Sequence, residues 1–349
     1  MAVYRIFPEK DTTIWSEPNI SGIYGNAGLD EILEVGVYKD INLDSRVQRS
    51  LIKFRTNEIT STLDSKVSGP WSSSLHLYLA NAGELPQDYV IHGYAVSSSW
   101  VNGTGKRDDL PLDTTGVSWK YREAQSFPWN TLGGDYISSS FAFVSKSLKS
   151  SHDLDLNITN IVNEHYSGSV DNNGIILKLA PDYENDTTSS INLKYFGSDT
   201  NSIFPPYLEF KWDDTIYSSS LAELSTDIVT VNIKNHKEKY ADSDSVRFRL
   251  SARPKYPVRT FTTSSIYLTE YKLPAQSYWG IKDENSGEMI VDFDSTYTKI
   301  SADNNSSYFN VYMDSLQPER FYRLLVKTTL NDSTIVIDNK NIFKVTRNG

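Results

Sequence analysis

The sequence predicts an all-β protein, and three observations carry that expectation. Short runs of roughly 4–8 residues alternate apolar and polar side chains, the period of a half-buried strand. Clusters of Gly, Asn, Asp, Ser and Pro separate those runs and supply turns. Helical periodicity is almost absent along the 349 residues.

In chain order, the first strands are expected at Asp30-Glu-Ile-Leu-Glu-Val, Ser50-Leu-Ile-Lys-Phe, Leu75-His-Leu-Tyr-Leu and Tyr89-Val-Ile-His-Gly-Tyr-Ala-Val. Later ones are Phe141-Ala-Phe-Val, Gly174-Ile-Ile-Leu-Lys-Leu, Ile191-Asn-Leu-Lys-Tyr-Phe and Pro206-Tyr-Leu-Glu-Phe-Lys-Trp. That series suits a jelly-roll-like β-sandwich over residues 1–213. One helix is expected, from Leu156 to Gly168. Thr159 would cap it, Ile161, Val162, His165 and Tyr166 would share a face, and Gly168 would end it.

The polar, turn-rich stretch from Asp213 to Ser225 marks a boundary. Strands resume at Ile228-Val-Thr-Val-Asn-Ile and Val246-Arg-Phe-Arg-Leu. They continue at Met289-Ile-Val-Asp-Phe-Asp, Tyr308-Phe-Asn-Val-Tyr-Met, Phe321-Tyr-Arg-Leu-Leu-Val-Lys and Ile335-Val-Ile-Asp-Asn-Lys-Asn-Ile-Phe-Lys-Val. About seven strands fit a smaller, immunoglobulin-like β-sandwich over residues 226–349.

Composition narrows the function classes. A net charge of -10 argues against nucleic acid, which needs basic patches. The one basic run, Arg247 to Arg259, alternates with apolar residues and reads as the wet face of a strand. Zero Cys removes disulfides, thiolate metal sites and Cys nucleophiles. The opening Met-Ala-Val-Tyr-Arg-Ile-Phe-Pro lacks the apolar core of a signal peptide, and no run approaches a membrane span.

No nucleophile elbow, Walker loop, zinc-protease helix or dinucleotide fingerprint occurs. Gly103-Thr-Gly105-Lys106 is read as a turn, because the spacing of a phosphate loop and a following helix are both missing. Asp153/Asp155 and Asp292/Asp294 could offer paired carboxylates, yet period-two spacing places each pair on one solvated strand face. Asp242/Asp244 lacks the Gly and terminal Glu of a calcium loop. The five His residues show no paired ligand spacing, so no metal, cofactor or enzymatic activity is expected.

Trp residues are the candidate contacts. Trp100 and Trp119 bracket a Gly-rich loop and could form a sugar-stacking platform, but burial beside their strands is the favoured reading. Trp71 and Trp129 sit after Pro in loops, at Gly69-Pro-Trp and Phe127-Pro-Trp, and are better candidates for exposed contact with a glycan or a protein neighbour, although packing under a loop is the more common outcome for either.

Two resemblances add to this. Asp11-Thr-Thr-Ile-Trp, Arg49-Ser-Leu-Ile-Lys-Phe, Leu75-His-Leu-Tyr-Leu, Ser98-Ser-Trp, Gly116-Val-Ser-Trp, Asp155-Leu-Asn-Ile-Thr-Asn-Ile-Val and Asn173-Gly-Ile-Ile-Leu-Lys together resemble the DNRLRE-type jelly roll. Relatives of that family include a class of carbohydrate-binding modules. The loop from Gly103 to Gly116 departs from its pattern by being longer. Leu316-Gln-Pro-Glu-Arg-Phe-Tyr is similar to the pattern before strand F of fibronectin type III domains, with Arg320 where that family has Thr. The resemblance implies that the Tyr322 hydroxyl ties back to upstream backbone.

In overall style the chain resembles virion proteins of tailed bacteriophages. That resemblance implies a non-enzymatic structural component of the particle, in capsid decoration, neck, collar or tail. Its partners would be other virion proteins and copies of itself in a homo-oligomer. The alternative is a carbohydrate-binding module or adhesin that contacts host-surface polysaccharide.

Overall fold

The computed structural model of the chain describes residues 2–18, 22–39, 44–83, 85–107, 109–186, 190–226, 228–257 and 269–347. Of the basic run, Arg259 lies outside them. The fold is an all-β sandwich architecture with three short α-helices and a 3-10 turn at Met313–Ser315 among the described residues. It divides into two compact units. One comprises Met1–Arg5, Val67–Trp71 and Lys211–Gly349, and the other Ile6–Lys66 and Ser72–Phe210.

In the N-terminal half the strands are β1 (Val3–Ile6), β2 (Lys10–Trp15), β3 (Ile32–Lys39) and β4 (Ser45–Lys53). After α1 (Thr56–Ser65) come β5 (Trp71–Leu77), β6 (Leu79–Ala82), β7 (Tyr89–Val96), β8 (Tyr136–Lys146) and β9 (Leu154–Asn157). Then follow α2 (Thr159–Ser167), β10 (Ile175–Leu179), α3 (Pro181–Glu184), β11 (Ile191–Phe196) and β12 (Tyr207–Trp212). Eight strands form one sheet of order β6-β11-β3-β4-β10-β7-β8, with β2 also paired to β4. A second, four-stranded sheet has the order β1-β12-β5-β9.

The two sheets press closely together where β7 meets β9. A Cβ at Gly93 would lie 2.7 Å from a Leu156 methyl, so only glycine leaves room for that side chain. Leu75, Leu77, Leu154, Leu156, Leu208 and Phe210 are all essentially inaccessible to water. Their period-two spacing is the alternation read from the sequence.

The expected helix forms, with three corrections. Leu156 and Asn157 belong to β9, and the helix begins at Thr159 after Ile158, which provides no side-chain cap. Thr159 instead accepts the Ser73 amide and donates to Asn157. Gly168 ends the helix in the left-handed region, φ 73°. Ile161, Val162 and His165 face inward, but Tyr166 is exposed and donates to Asp64 of α1 at 2.6 Å. No apolar helical period announces α1. Its inward residues are Ile59, Thr62 and Leu63, so only two apolar side chains mark ten residues. Packing against α2 holds it helical where intrinsic propensity is poor.

The C-terminal strands are β13 (Val229–Ile233), β14 (Lys239–Ala241), β15 (Ser245–Pro254), β16 (Ser277–Asp283) and β17 (Met289–Val291). They continue with β18 (Ser301–Ala302), β19 (Ser307–Tyr312), β20 (Phe321–Leu330) and β21 (Ser333–Thr346). These make sheets ordered β13-β15-β19-β18 and β14-β21-β20-β16-β17. Trp279 and Phe309 stack between them at 5.2 Å and 4°. Phe248, Tyr322 and Phe343 fill the space beside that pair. The Tyr322 hydroxyl donates to the Gln317 carbonyl at 2.8 Å, the tie-back expected from the pattern around Pro318. Along β15, Phe248, Leu250 and Ala252 are buried, while Arg247, Arg249 and Arg253 occupy the other face.

Candidate functional site

Three of the four Trp candidates belong to a core. Trp100, Trp119 and Trp129 are 3%, 9% and 4% exposed, and pack with Ile14, Leu51, Val96, Val117 and Ile176. Their polar edges are satisfied inside: Trp100 Nε1 donates to Asn173 O at 2.8 Å and Trp129 Nε1 to Ser118 O at 3.0 Å. Trp129 is therefore not the exposed contact it was a candidate for, and takes the commoner outcome of packing under its loop. Its position after Pro128 marks a loop, but the loop folds that indole beneath itself. Trp71 opens β5 and is half-buried.

The loop that seals this core is built around Asn26, which the sequence reading did not single out. Asn26 is 0% exposed. Its Nδ2 donates to the carbonyls of Asn102 (2.6 Å) and Val117 (2.9 Å), and its Oδ1 accepts from the amides of Gly28 (3.1 Å) and Gly105 (3.0 Å). Gly103 has φ +78°, and a Cβ there would strike Asn26 Oδ1 at 2.3 Å. Asp113 closes the other end by accepting the amides of Thr104 and Thr115 at 2.8 Å each. Those bonds hold the Asp113 carboxyl below its ordinary range against the opposing effect of burial, the largest single influence on it. The Gly-rich loop is thus a cover for the sheet.

Beyond the cover the same sheet face lies open. Phe141 and Phe143 of β8 are 43% and 62% exposed, with ring centroids 6.4 Å apart. The register sets Tyr94 of β7 opposite Phe141 and His92 opposite Phe143. The Tyr94 and Phe141 rings stack at 5.7 Å, and Tyr136 adjoins Tyr94 at 4.6 Å. His92 Nδ1 is 2.8 Å from the Tyr94 hydroxyl. Burial first, then nearby Lys178, lowers the His92 pKa, so the ring is neutral at pH 7.

Charges border this aromatic strip and are paired with one another. Glu184 accepts two bonds from Arg49 at 2.9 Å and lies 2.7 Å from Lys178 Nζ. Arg49 also lies over the Trp119 ring at 4.8 Å, which joins the sealed region to the open one.

A pocket of about 300 Å³ lies between β8 and α2, lined by Ser139, Ser140, Phe141, Asn160, Asn163 and Glu164. Asn160, Asn163 and Glu164 recur at helical spacing and so share one face of α2. Ser140 donates to Glu164. Hydroxyls, amides and a carboxylate beside an exposed ring can both donate to and accept from a polyhydroxylated ligand.

A second opening, about 360 Å³, is bordered by Asp30, Glu31, Glu34, Lys106, Arg107 and Lys194. Glu34 at its base accepts from Arg107 (2.8 Å), Lys194 (3.1 Å), Trp15 (3.0 Å) and Gln48 (2.5 Å). With four donors around it, this carboxylate serves as an anchor between strands.

The carboxylate pairs are also placed. Asp155 is exposed on β9, and Asp153 accepts the Leu79 amide at 2.7 Å. Asp292 and Asp294 lie past the end of β17, not on a strand face, and Asp294 accepts the amides of Thr296 and Tyr297 in a turn. Asp244 accepts the Ala241 amide at 2.9 Å. His76 stacks on Tyr207 at 4.8 Å, and His152 bonds the Tyr89 hydroxyl at 2.8 Å.

No known family model matches the chain, nor does any curated protein sequence. Among solved structures it is similar to a DUF4785 family protein of Legionella pneumophila, at 10% identity over 98% of this chain and 66% of that one, with a TM-score of 0.19. It is also similar to beta-glucuronidase 3 of Bacteroides uniformis, at 9% identity over 85% of this chain and 26% of that one, with a TM-score of 0.20. A beta-glucuronidase of Parabacteroides merdae gives 8% identity, coverage of 82% and 29%, and a TM-score of 0.20. The chain thus spans 66% of the first protein's length and less than a third of each glucuronidase. TM-scores this low carry no argument for fold or activity.

Proposed function

We propose that the protein is a non-enzymatic binding component of a tailed-phage particle, and that its aromatic strip contacts polysaccharide of the host surface. The observation that carries this reading is the row of exposed Phe141 and Phe143 rings set against Tyr94 and His92 across β7 and β8. Exposed aromatic patches on a folded domain mark interaction surfaces. Flat rings suit the apolar faces of pyranoses, and a hydroxyl–amide–carboxylate set suits their hydroxyl groups, which donate and accept at once. Glu184, Arg49 and Lys178 are engaged with one another, which favours a surface that holds its ligand without transforming it. Each contact would be weak, and many copies on a particle would supply avidity.

A glycan array probed with oligomerised protein tests this. Binding is expected for the wild type and is expected to fall at least tenfold for Phe141→Ala combined with Phe143→Ala, with an unchanged circular dichroism spectrum. A silent array, together with variants that no longer enter particles, would transfer the strip to protein assembly. Absence of the chain from purified virions would overturn the particle setting.

A further inference from the structure

The pocket between β8 and α2 differs from the rest of its unit in that its polar side chains hold none of the protein's own structure. Elsewhere the side-chain amides of Asn26, Asn130, Asn157 and Asn172 are bonded to the chain's own loops and turns. Among the described residues, the side chains of Ser139, Asn160 and Asn163 have no hydrogen-bond partner. Ser140 donates to one oxygen of Glu164, and the other, Oε1, is left for a ligand. These groups are carried by a helix and a strand, so they stand ready in fixed places.

The electrostatics of the pocket call for a cation. Glu164 opens the last turn of α2, the end at which the helix dipole is negative. No Lys or Arg pairs with Glu164 among the described residues. The base of that turn, His165, is 6% exposed, and burial lowers its pKa, so it is neutral at pH 7. Asp171 adds a second negative charge nearby. The other well-buried acids of the same sheet are matched twice over: Glu34 by Arg107 and Lys194, and Glu184 by Arg49 and Lys178.

We infer that this pocket binds an amino sugar through its protonated amine, with the ammonium on Glu164, ring hydroxyls on Asn160, Asn163 and Ser139, and an apolar sugar face against Phe141. A primary ammonium brings three donors and no acceptor, which a carboxylate and adjacent amide oxygens satisfy. Bonds of this kind, with both partners charged, are stronger than neutral ones. A calcium ion takes about 6–8 oxygen ligands with several carboxylates among them, and the pocket lining has one carboxylate. A lysine side chain would suit Glu164 but leave both amides and the hydroxyl unused. The volume of about 300 Å³ suits a single sugar unit. This inference rests on the reading of the protein as a glycan binder, and it adds the charge of the sugar, which aromatic rings alone do not select.

Calorimetric titration of the full chain at pH 6, where the amine carries its proton, tests it with tetrasaccharides of glucosamine, N-acetylglucosamine and glucose in the same linkage. The glucosamine oligomer is expected to bind at least tenfold more tightly than the other two. Glu164→Gln is expected to abolish that preference and to leave the neutral oligomers unchanged. Equal affinity for all three in the wild type, a preference that survives Glu164→Gln, or no binding at millimolar oligomer overturns the inference. Were Glu164→Gln to misfold, the three ligands on the wild type would still decide the matter. Neutral oligomers bound through Phe143 without preference for the amine would remove the pocket and leave the aromatic strip standing. A Glu164-dependent preference that persists in Phe143→Ala would keep the pocket even where the strip serves assembly.

Discussion

One sheet face in this protein treats its aromatic residues in two ways. Under the loop held by Asn26, Trp100, Trp119 and Trp129 lie sealed with Ile14, Leu51 and Ile176. On the adjoining strands β7 and β8 of the same sheet, Phe141 and Phe143 stand in water beside Tyr94 and His92. The register is continuous across both regions, since Ile176 of the sealed part is opposite Tyr94 of the open part. What separates them is cover. Burial of a large ring contributes to stability, whereas an uncovered row of rings remains available to a ligand.

That contrast is easiest to break by truncation. Trp129→Ala or Trp100→Ala should destabilise the fold by about 3–5 kcal/mol, the usual cost of removing a buried Trp. Phe143→Ala, at 62% exposure, should cost less than about 1 kcal/mol. Urea midpoints of the three variants measure the difference, and a Phe143→Ala loss as large as that of Trp129→Ala would make the open strip structural.

The cover itself can be loosened. Asn26→Ala removes an amide that serves two carbonyls and two backbone amides. Leaving buried polar groups unpaired predicts a loss of about 2–4 kcal/mol. Hydrogen exchange should quicken first at the Gly28 and Gly105 amides, while α2 keeps its protection. Uniform quickening across both regions would show that the loop is not a separate element.

A smaller effect concerns acid. Asp11 of β2 is 2% exposed and accepts the Ser198 amide at 2.8 Å and the Ser198 hydroxyl. Burial pushes its pKa from 3.8 up to about 6 despite those bonds. The folded state therefore binds this proton more tightly than the unfolded chain does. The resulting stabilisation is complete below about pH 4, declines as pH rises toward about 6, and is absent above it. Asp11→Asn should flatten that slope, which amounts to at most about 3 kcal/mol for a shift of two units. Chemical denaturation at pH 4.5 and 7 checks the sign, and a wild type that gains stability relative to the variant across that interval would contradict it.

Much of the architecture was legible in local patterns. The alternation at Tyr89–Val96 and Ile191–Phe196 gave those strands their observed bounds, and Gly168 marked the end of α2. The basic positions of β15 fell on the wet face for the same reason. The candidate site was harder to read. In β8 the alternation is real, but Ser140 points inward and Phe141 and Phe143 point out, the reverse of the usual sense. The only local hint was a Phe-x-Phe pair set in a run of Ser. Trp129 failed the other way, because Pro128 announces a loop and says nothing of what the loop covers.

The amino-acid order alone determined where the backbone extends, where it turns and which side chains share a face. These properties depend on neighbours within a few residues, through φ/ψ preference and the two-residue pleat. Tertiary structure decided which of two equivalent faces meets water, that Asn26 gathers residues 102–105 and 117 onto its own loop, and that α1 is a helix at all. Each of those depends on contacts between residues tens of positions apart, as in the bond from Asn26 to Val117, to which no local period is sensitive.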